Sequence, residues 1–193
     1  MRVTSRLTLI CALVLTACKA QPSPDPALVA AGCHEDAPAV DETLLAFLSK
    51  ARAVHLQVDL AEADAKIDEA VRLLDGLVRP PAPGGENASP EVAEVLADSL
   101  ARLAELEGQR GNFEAARVLV RRGLGIAKGR TQFRGRLFEV LGSVEKRSFD
   151  ALRERRDDEG ATAAKLRSLA ALKEAVSIQE DVIDRALGTA PSP

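Results

Sequence analysis

Aromatic residues are scarce in this chain of 193 residues, which has no tryptophan, no tyrosine and five phenylalanines. Proteins that bind sugars or single-stranded bases commonly stack them on aromatic rings, so this scarcity argues against direct binding of glycans or nucleic acid. The formal net charge of −3 also argues against a general nucleic-acid binder. The sequence contains no nucleotide-binding glycine loop, no His-Glu-x-x-His and no Gly-x-Ser-x-Gly. We therefore expect neither enzyme activity nor a small-molecule substrate, and no cofactor.

Proline is missing from residues 39–79 and 91–190, although the chain has ten prolines. Proline breaks a helix because it lacks the backbone donor and its ring clashes with the preceding turn. Within these stretches apolar residues recur every three or four positions, as on one helix face, and no stretch shows the period of two that is typical of a strand. The pattern predicts an all-α fold with helices centred on 44–61, 67–78, 96–106, 113–124, 133–144 and 166–187. The third helix is expected to be capped by Ser89.

The proline-rich segments divide the chain into parts. Residues 18–40 are predicted to be a flexible linker and residues 79–90 an exposed loop. The helical domain is expected at residues 41–187, and residues 188–193 are expected to be a disordered tail.

The N-terminus combines positive charge, an apolar run and a cysteine. Arg2 and Arg6 precede the apolar residues 7–15, which end in Leu15-Thr16-Ala17-Cys18. This run is shorter than the ~20 residues of a membrane-spanning helix. The segment resembles the lipobox of bacterial lipoproteins, which implies a signal peptide at residues 1–17 and a lipid on the Cys18 sulfur. In the lipoprotein interpretation, Lys19 directly after the lipidated cysteine is compatible with an outer-membrane protein that faces the periplasm. The alternative is a buried N-terminal helix, which fits the charged start and the following prolines poorly.

Few residues remain for metal or redox chemistry. Cys11 would leave with the signal peptide, so Cys33 would be the one free thiol, able to pair only between molecules. His34 lies beside Cys33 and two acids, but in a linker without a further ligand cluster we expect no metal site. His55 is predicted to lie on a helix as a solvated histidine rather than a catalytic one.

The helices come in similar pairs. Gly111-Asn112-Phe113-Glu114-Ala115-Ala116 follows a helix that ends in Leu103-Ala104-Glu105-Leu106, and the segment 65–70 has a matching pattern ending in Ala70. Ala70 and Ala116 are 46 residues apart, which is the family period of 34 plus the 12 residues of the loop at 79–90. The pattern resembles tetratricopeptide repeats, and the resemblance implies about three antiparallel helix hairpins stacked as a short superhelix. Leu141-Gly142 suggests a third repeat, whose charged turn at 153–160 would be longer than the turn that the family uses. The alternative fold is a helical bundle without repeats.

The resemblance also implies a concave partner-binding face formed by the first helix of each hairpin. Aligning Ala70, Ala116 and Gly142 with the family pattern places ten residues there: Arg52, His55, Asp59 and Glu62 in the first repeat, Asp98, Glu105 and Gln109 in the second, and Arg136, Glu139 and Lys146 in the third. This face would be acidic in the first two repeats and basic towards the third. The alternative is that these ten positions are solvated polar residues that bind no partner.

Residues 117–136 contain seven basic residues and no acid. Two interpretations remain open: a solvated turn region, or an electropositive patch for an acidic protein segment or lipid headgroups. The candidate patch consists of Arg117, Arg121, Arg122, Lys128, Arg130 and Arg134, next to Arg136.

The sequence thus favours a lipid-anchored envelope adaptor that binds a protein partner through its helical repeats, for example in assembly of a secretion, pilus or motility complex. The alternative is a structural envelope lipoprotein that binds anionic lipid or surface polymer through the basic patch. We expect no nucleic-acid partner.

Overall fold

The computed structural model describes residues 41–189. The predicted signal peptide, the lipidation site Cys18, the linker with Cys33 and residues 190–193 of the tail lie outside the described residues. Between residues 41 and 189 the chain forms helices and no strand, so the prediction of an all-α fold is confirmed. The six α-helices are α1 (Glu42–Ala63), α2 (Ile67–Val78), α3 (Pro90–Gln109), α4 (Phe113–Ile126), α5 (Gln132–Glu154) and α6 (Asp158–Leu187), with a short 3-10 helix at Gly85–Asn87.

The helices form three hairpins, α1–α2, α3–α4 and α5–α6, whose turns have the same geometry. Each turn has three residues, and its middle residue has a positive φ: 58° at Ala65, 79° at Gly111 and 60° at Arg156. In each case the next residue's N–H donates to a carbonyl of the preceding helix, which closes a Schellman-type cap. These bonds are Lys66 to Ala61 (2.7 Å), Asn112 to Glu107 (2.9 Å) and Asp157 to Leu152 (3.0 Å).

The prediction of a longer charged turn at 153–160 is therefore wrong. The third turn covers only residues 155–157. The Asp157 carboxylate accepts a hydrogen bond from the Gly160 N–H at 2.9 Å, so this acid caps α6 instead of extending the loop.

The hairpins stack in chain order. Helix α3 packs on α1, α2 and α4, and α5 packs on α3, α4 and α6. The first helices of the three hairpins, α1, α3 and α5, therefore lie side by side.

Helix α3 occupies the centre because two of its faces are buried. One face carries large side chains, including Leu96, Leu100 and Leu103, which pack against α1 and α2. The other carries Ala97, Ala101 and Ala104, which pack against α4 and α5. Small residues on this second face let three helices approach closely. The Ser89 cap predicted for α3 is present, and the Ser89 hydroxyl accepts from the Val92 N–H at 3.4 Å.

Helices α5 and α6 also approach closely, and Gly142 lies at their contact. A Cβ at Gly142 would be 2.6 Å from Leu172 Cδ2, and the Ser168 hydroxyl donates to the Gly142 carbonyl at 2.8 Å. The turns align Gly142 with Ala97, since each lies 14 residues before the positive-φ residue of its turn. The sequence pattern instead matches Gly142 with Ala104, which shifts the third repeat by seven residues, or about two helical turns.

In the part of the chain that the structure describes, no helix combines the length and the apolar character needed to cross a membrane.

Candidate protein-binding surface

Polar side chains line the surface where α1, α3 and α5 lie side by side. We call this surface the A-helix seam and define it by seven of the ten residues that the sequence placed on the partner-binding face, together with Arg102: His55, Asp59, Glu62, Asp98, Arg102, Glu105, Gln109 and Arg136. Six of these eight side chains bind to each other or to a neighbouring helix. The side chains of Glu105 and Gln109 make no hydrogen bond to other groups within residues 41–189, and Glu105 forms no ion pair there.

Arg102 joins α3 to α1. Its Nη2 lies 2.6 Å from Asp59 Oδ1, and its Nε donates to Glu62 Oε1 at 3.0 Å. Only 16% of the Arg102 side chain is exposed, whereas 60% of the Asp59 side chain is exposed. One guanidinium thus neutralises two of the acids predicted for this face, and the first repeat is less acidic than the sequence suggests.

Arg136 joins α5 to α3. Its Nε lies 3.1 Å from Asp98 Oδ1. Beside it is a depression of about 220 Å³, which is lined by Glu62, Arg102, Glu105, Leu106, Gln109 and Arg136. The Glu105 carboxylate makes no hydrogen bond or ion pair within residues 41–189, so it can accept a donor from outside the chain.

His55 is half-buried and bonds to α3, so the prediction of a solvated histidine is wrong. Its Nε2 lies 2.8 Å from Ser99 Oγ, and that hydroxyl donates to the Val95 carbonyl at 2.7 Å. Because a hydroxyl has one proton, Ser99 Oγ must accept from the protonated Nε2 of His55. Burial lowers the pKa of His55 below its usual value, although the negative charge of Asp98 opposes this shift, and the lowered pKa favours the neutral ring.

This Ser–His pair does not have the arrangement of an activated nucleophile. In that arrangement the histidine nitrogen accepts the hydroxyl proton, and the hydroxyl can reach a substrate. Here the His55 nitrogen is the donor, and Ser99 is fully buried. The pair holds α1 against α3.

The other three predicted face residues stand apart from these contacts. Lys146 pairs with Asp150 on its own helix at 2.9 Å. Arg52 and Glu139 are exposed and form no ion pair within the described residues. The seven-residue shift of the third repeat explains why Arg136 is nevertheless on the seam, because two helical turns return to the same helix face.

The basic residues 117–136 do not form one free patch, since intramolecular contacts occupy five of the six candidate side chains. Their acceptors are Glu145 and Ser148 for Arg117, Glu114 for Arg121, the Val78 carbonyl for Arg122, Glu174, Ser177 and Asp181 for Arg130, and the Leu124 and Ala127 carbonyls for Arg134. Lys128 is exposed at the edge of an open cavity of about 910 Å³ between the loops that precede α3 and α5.

Sequence reasoning missed Arg102, although the spacing contained a signal for it. Residues 98, 102, 105 and 109 are separated by four, three and four positions, so they share one face of α3. It also missed the buried acid Glu145, whose partners come from two other helices.

Residues 41–189 hold no cluster of three His, Cys, Asp or Glu side chains that could bind a metal ion. No protein-family model, no curated protein and no solved structure matches this chain.

Proposed function

We propose that this protein is a lipid-anchored adaptor of the bacterial cell envelope that binds a segment of another protein along the A-helix seam. The observation that carries the proposal is the side-by-side packing of α1, α3 and α5, which aligns polar side chains from three hairpins beside one depression. The three equal turns support the resemblance to tetratricopeptide repeats. The lipobox-like Leu15-Thr16-Ala17-Cys18 supports the anchor.

The charges of the seam favour a partner of mixed charge. Glu105 can accept a basic or amide group. Arg136, 45% exposed at its side chain, pairs with Asp98 through Nε, so its terminal nitrogens can face an acidic group. Both are near the surface, and exposed charges are screened within about 8–10 Å at physiological salt, so binding should weaken as salt increases.

Binding of anionic lipid or surface polymer through the basic residues is the second candidate. It has less support, because five of the six side chains already bind groups of this chain, as described above. An anion would have to displace carboxylates or carbonyls from these arginines.

Affinity capture of the tagged full chain in mild detergent, from the bacterium that encodes it, tests the proposal. We expect a stoichiometric protein partner that binds the Glu105→Lys variant at least about ten-fold more weakly, because the variant removes a charge-assisted hydrogen bond from the interface. Glu94→Lys is the matched control, since Glu94 is an exposed acid on the same helix that lines the 910 Å³ cavity instead.

Failure of Glu94→Lys to bind the partner, with normal binding by Glu105→Lys, would move the site to the cavity and contradict the proposal. Capture of lipid or polysaccharide without a protein would favour the second candidate. The Arg121→Glu/Arg122→Glu double variant then tests the basic residues directly.

A further inference from the structure

Helix α6 has a row of large apolar side chains that nothing in residues 41–189 covers. We call it the outer stripe and define it as the seven residues that recur at alternating intervals of three and four: Leu166, Leu169, Lys173, Val176, Glu180, Ile183 and Leu187. Its five apolar members are 63%, 55%, 52%, 55% and 70% exposed, in chain order. Such spacing over three heptads is typical of a helix face that packs against another helix.

The buried face of α6 lies on the opposite side of the helix. It consists of Ala161, Ala164, Ser168, Ala171, Ala175 and Ile178, which also alternate by three and four and pack towards α5. In heptad terms, if these residues occupy positions a and d, the outer stripe occupies b and f. An ordinary surface helix has polar residues at b and f, so this stripe is unusual for a surface facing only water.

The order of residues in the outer stripe is self-complementary when the helix is reversed. Leu169 and Ile183 lie seven residues on either side of Val176, and Leu166 and Leu187 lie ten before and eleven after it. Lys173 lies three residues before Val176 and Glu180 lies four after it. If two copies of the helix run antiparallel with Val176 opposite Val176, the apolar residues of one copy lie level with apolar residues of the other, and Lys173 lies level with Glu180. The rise of 1.5 Å per residue makes the mismatch along the helix axis at most about 1.5 Å.

We propose that α6 pairs with α6 of a second copy of this chain, antiparallel and about a two-fold axis near Val176, so that Lys173 faces Glu180 of the partner subunit. A two-fold axis makes this ion pair twice. A parallel pairing would instead place lysine against lysine and glutamate against glutamate, which is unfavourable. The charge pattern thus selects both the second copy and its direction.

A membrane surface fits the stripe less well. Helices that lie on anionic membranes carry Lys and Arg around the apolar face and keep acids away from it. Here Glu180 lies within the stripe, Asp181 follows it directly, and Asp184 lies about one helical turn further along. The stripe is about 32 Å long, which suits a helix–helix contact over six turns.

Charge reversal in the full chain tests the pairing. Lys173→Glu and Glu180→Lys each place like charges opposite each other twice, and we expect each to weaken self-association at least about ten-fold. Mixing the two variants restores opposite charges at both positions, as does the double variant Lys173→Glu/Glu180→Lys, and both should recover dimers. Lys165→Glu, exposed on α6 outside the stripe, is the control and should leave the dimer intact. Sedimentation velocity in mild detergent gives the mass, and circular dichroism checks that helicity is unchanged.

Disulfide formation in membranes of cells that express the full chain gives the geometry without detergent. In a Cys33→Ser background, Val176→Cys should cross-link with itself. Leu169→Cys should not cross-link alone, because two such sites would be about 21 Å apart, but it should cross-link with a co-expressed Ile183→Cys chain. The background chain alone should give no cross-link.

Three outcomes would overturn the proposal. The first is a monomeric wild-type chain without a cross-link at residue 176. The second is self-cross-linking of Leu169→Cys with failure of the mixed pair, which would indicate parallel helices. The third is a monomer whose Val176→Cys thiol is shielded from a water-soluble maleimide in membranes but reacts in mild detergent, which would assign the stripe to lipid.

Discussion

Glu145 shows how one buried side chain joins three helices. Its carboxylate, 2% exposed on α5, lies 2.6 Å from Arg117 Nε of α4 and 2.9 Å from Arg167 Nη2 of α6. Burial alone would raise the pKa of Glu145, but hydrogen bonds from Arg117 and Arg167 and their positive charges outweigh it, so the pKa lies below its usual value. Glu145 is therefore ionised in the folded protein at neutral pH, and both arginines stabilise this ionised carboxylate.

Replacing Glu145 with glutamine should destabilise the fold strongly. The change leaves Arg117, 19% exposed, without its main counter-charge. Arg117 keeps Glu114 at 3.2 Å and Arg167 is 51% exposed, so we expect a loss of about 1–3 kcal/mol of unfolding free energy, as for a partly buried charge that loses its hydrogen-bond partner. Chemical denaturation of the full chain measures this decrease. Glu154→Gln, an exposed glutamate at the end of the same helix, is the control and should change stability by less than about 0.5 kcal/mol. Equal effects of the two variants would show that Glu145 has no special role.

Acid should remove the same contribution. Because the pKa of Glu145 is lower in the folded chain than in the unfolded one, its stabilisation is complete above the unfolded value, near 4.5, and is lost as pH falls through the folded value. The difference in unfolding free energy between the wild-type chain and Glu145→Gln should thus be constant from pH 7 to about pH 5 and shrink below pH 4.5. A difference that grows in acid would contradict this assignment.

At the scale of helices, the sequence predicted the number and order of the elements better than their ends or their buried faces. The apolar pattern placed α5 at 133–144, but α5 continues to Glu154. Its last turns carry charged residues, which contribute nothing to an apolar period. Helix α6 was located by its large residues, yet those of the outer stripe are exposed, and small residues such as Ala164 and Ala171 form the buried face. Small side chains let the backbones of two helices approach closely. Such positions are hard to recognise in a sequence because alanine and serine contribute little to a hydrophobicity pattern.

Enlarging the small residues between helices should therefore be costly. Ala104 on α3 and Ala116 on α4 are fully buried. Ala104→Leu or Ala116→Leu should lower the unfolding free energy by about 1–3 kcal/mol, since an overpacked contact forces helices apart. Thermal or chemical denaturation measures the effect. Ala53→Leu, at an exposed position of α1, should cost almost nothing because leucine is also a good helix former. Unchanged stability of both buried variants would show that Ala104 and Ala116 do not lie at close contacts between helices.

At the scale of the molecule, the resemblance to repeats predicted about three hairpins, and residues 41–189 form three hairpins with equal turns, although the sequence pattern placed the third repeat seven residues out of register. The candidate site was predicted less completely, because its geometry depends on contacts between helices. No local pattern reveals that Arg102 reaches Asp59, 43 residues away, or that Arg130 reaches Glu174, 44 residues away. Charge runs along a sequence therefore overestimate free surface charge when the arginines bind carboxylates and carbonyls of neighbouring helices.

The proposed lipid anchor determines where the whole protein lies, and a substitution at Cys18 tests it. If the sulfur of Cys18 carries the lipid, Cys18→Ser should leave an uncleaved precursor or a soluble chain, and the mature protein should be lost from the membrane fraction. Two or three acyl chains hold a protein stably on a bilayer, whereas none of the helices within residues 41–189 could replace them by spanning it.

Fractionation with intact-mass measurement checks both location and processing, and Cys33→Ser, which keeps the predicted lipid site, should behave as the wild-type chain. A Cys18→Ser chain of mature mass that still sediments with membranes would refute the lipid anchor. The A-helix seam and the outer stripe would remain, because both belong to helices within residues 41–189.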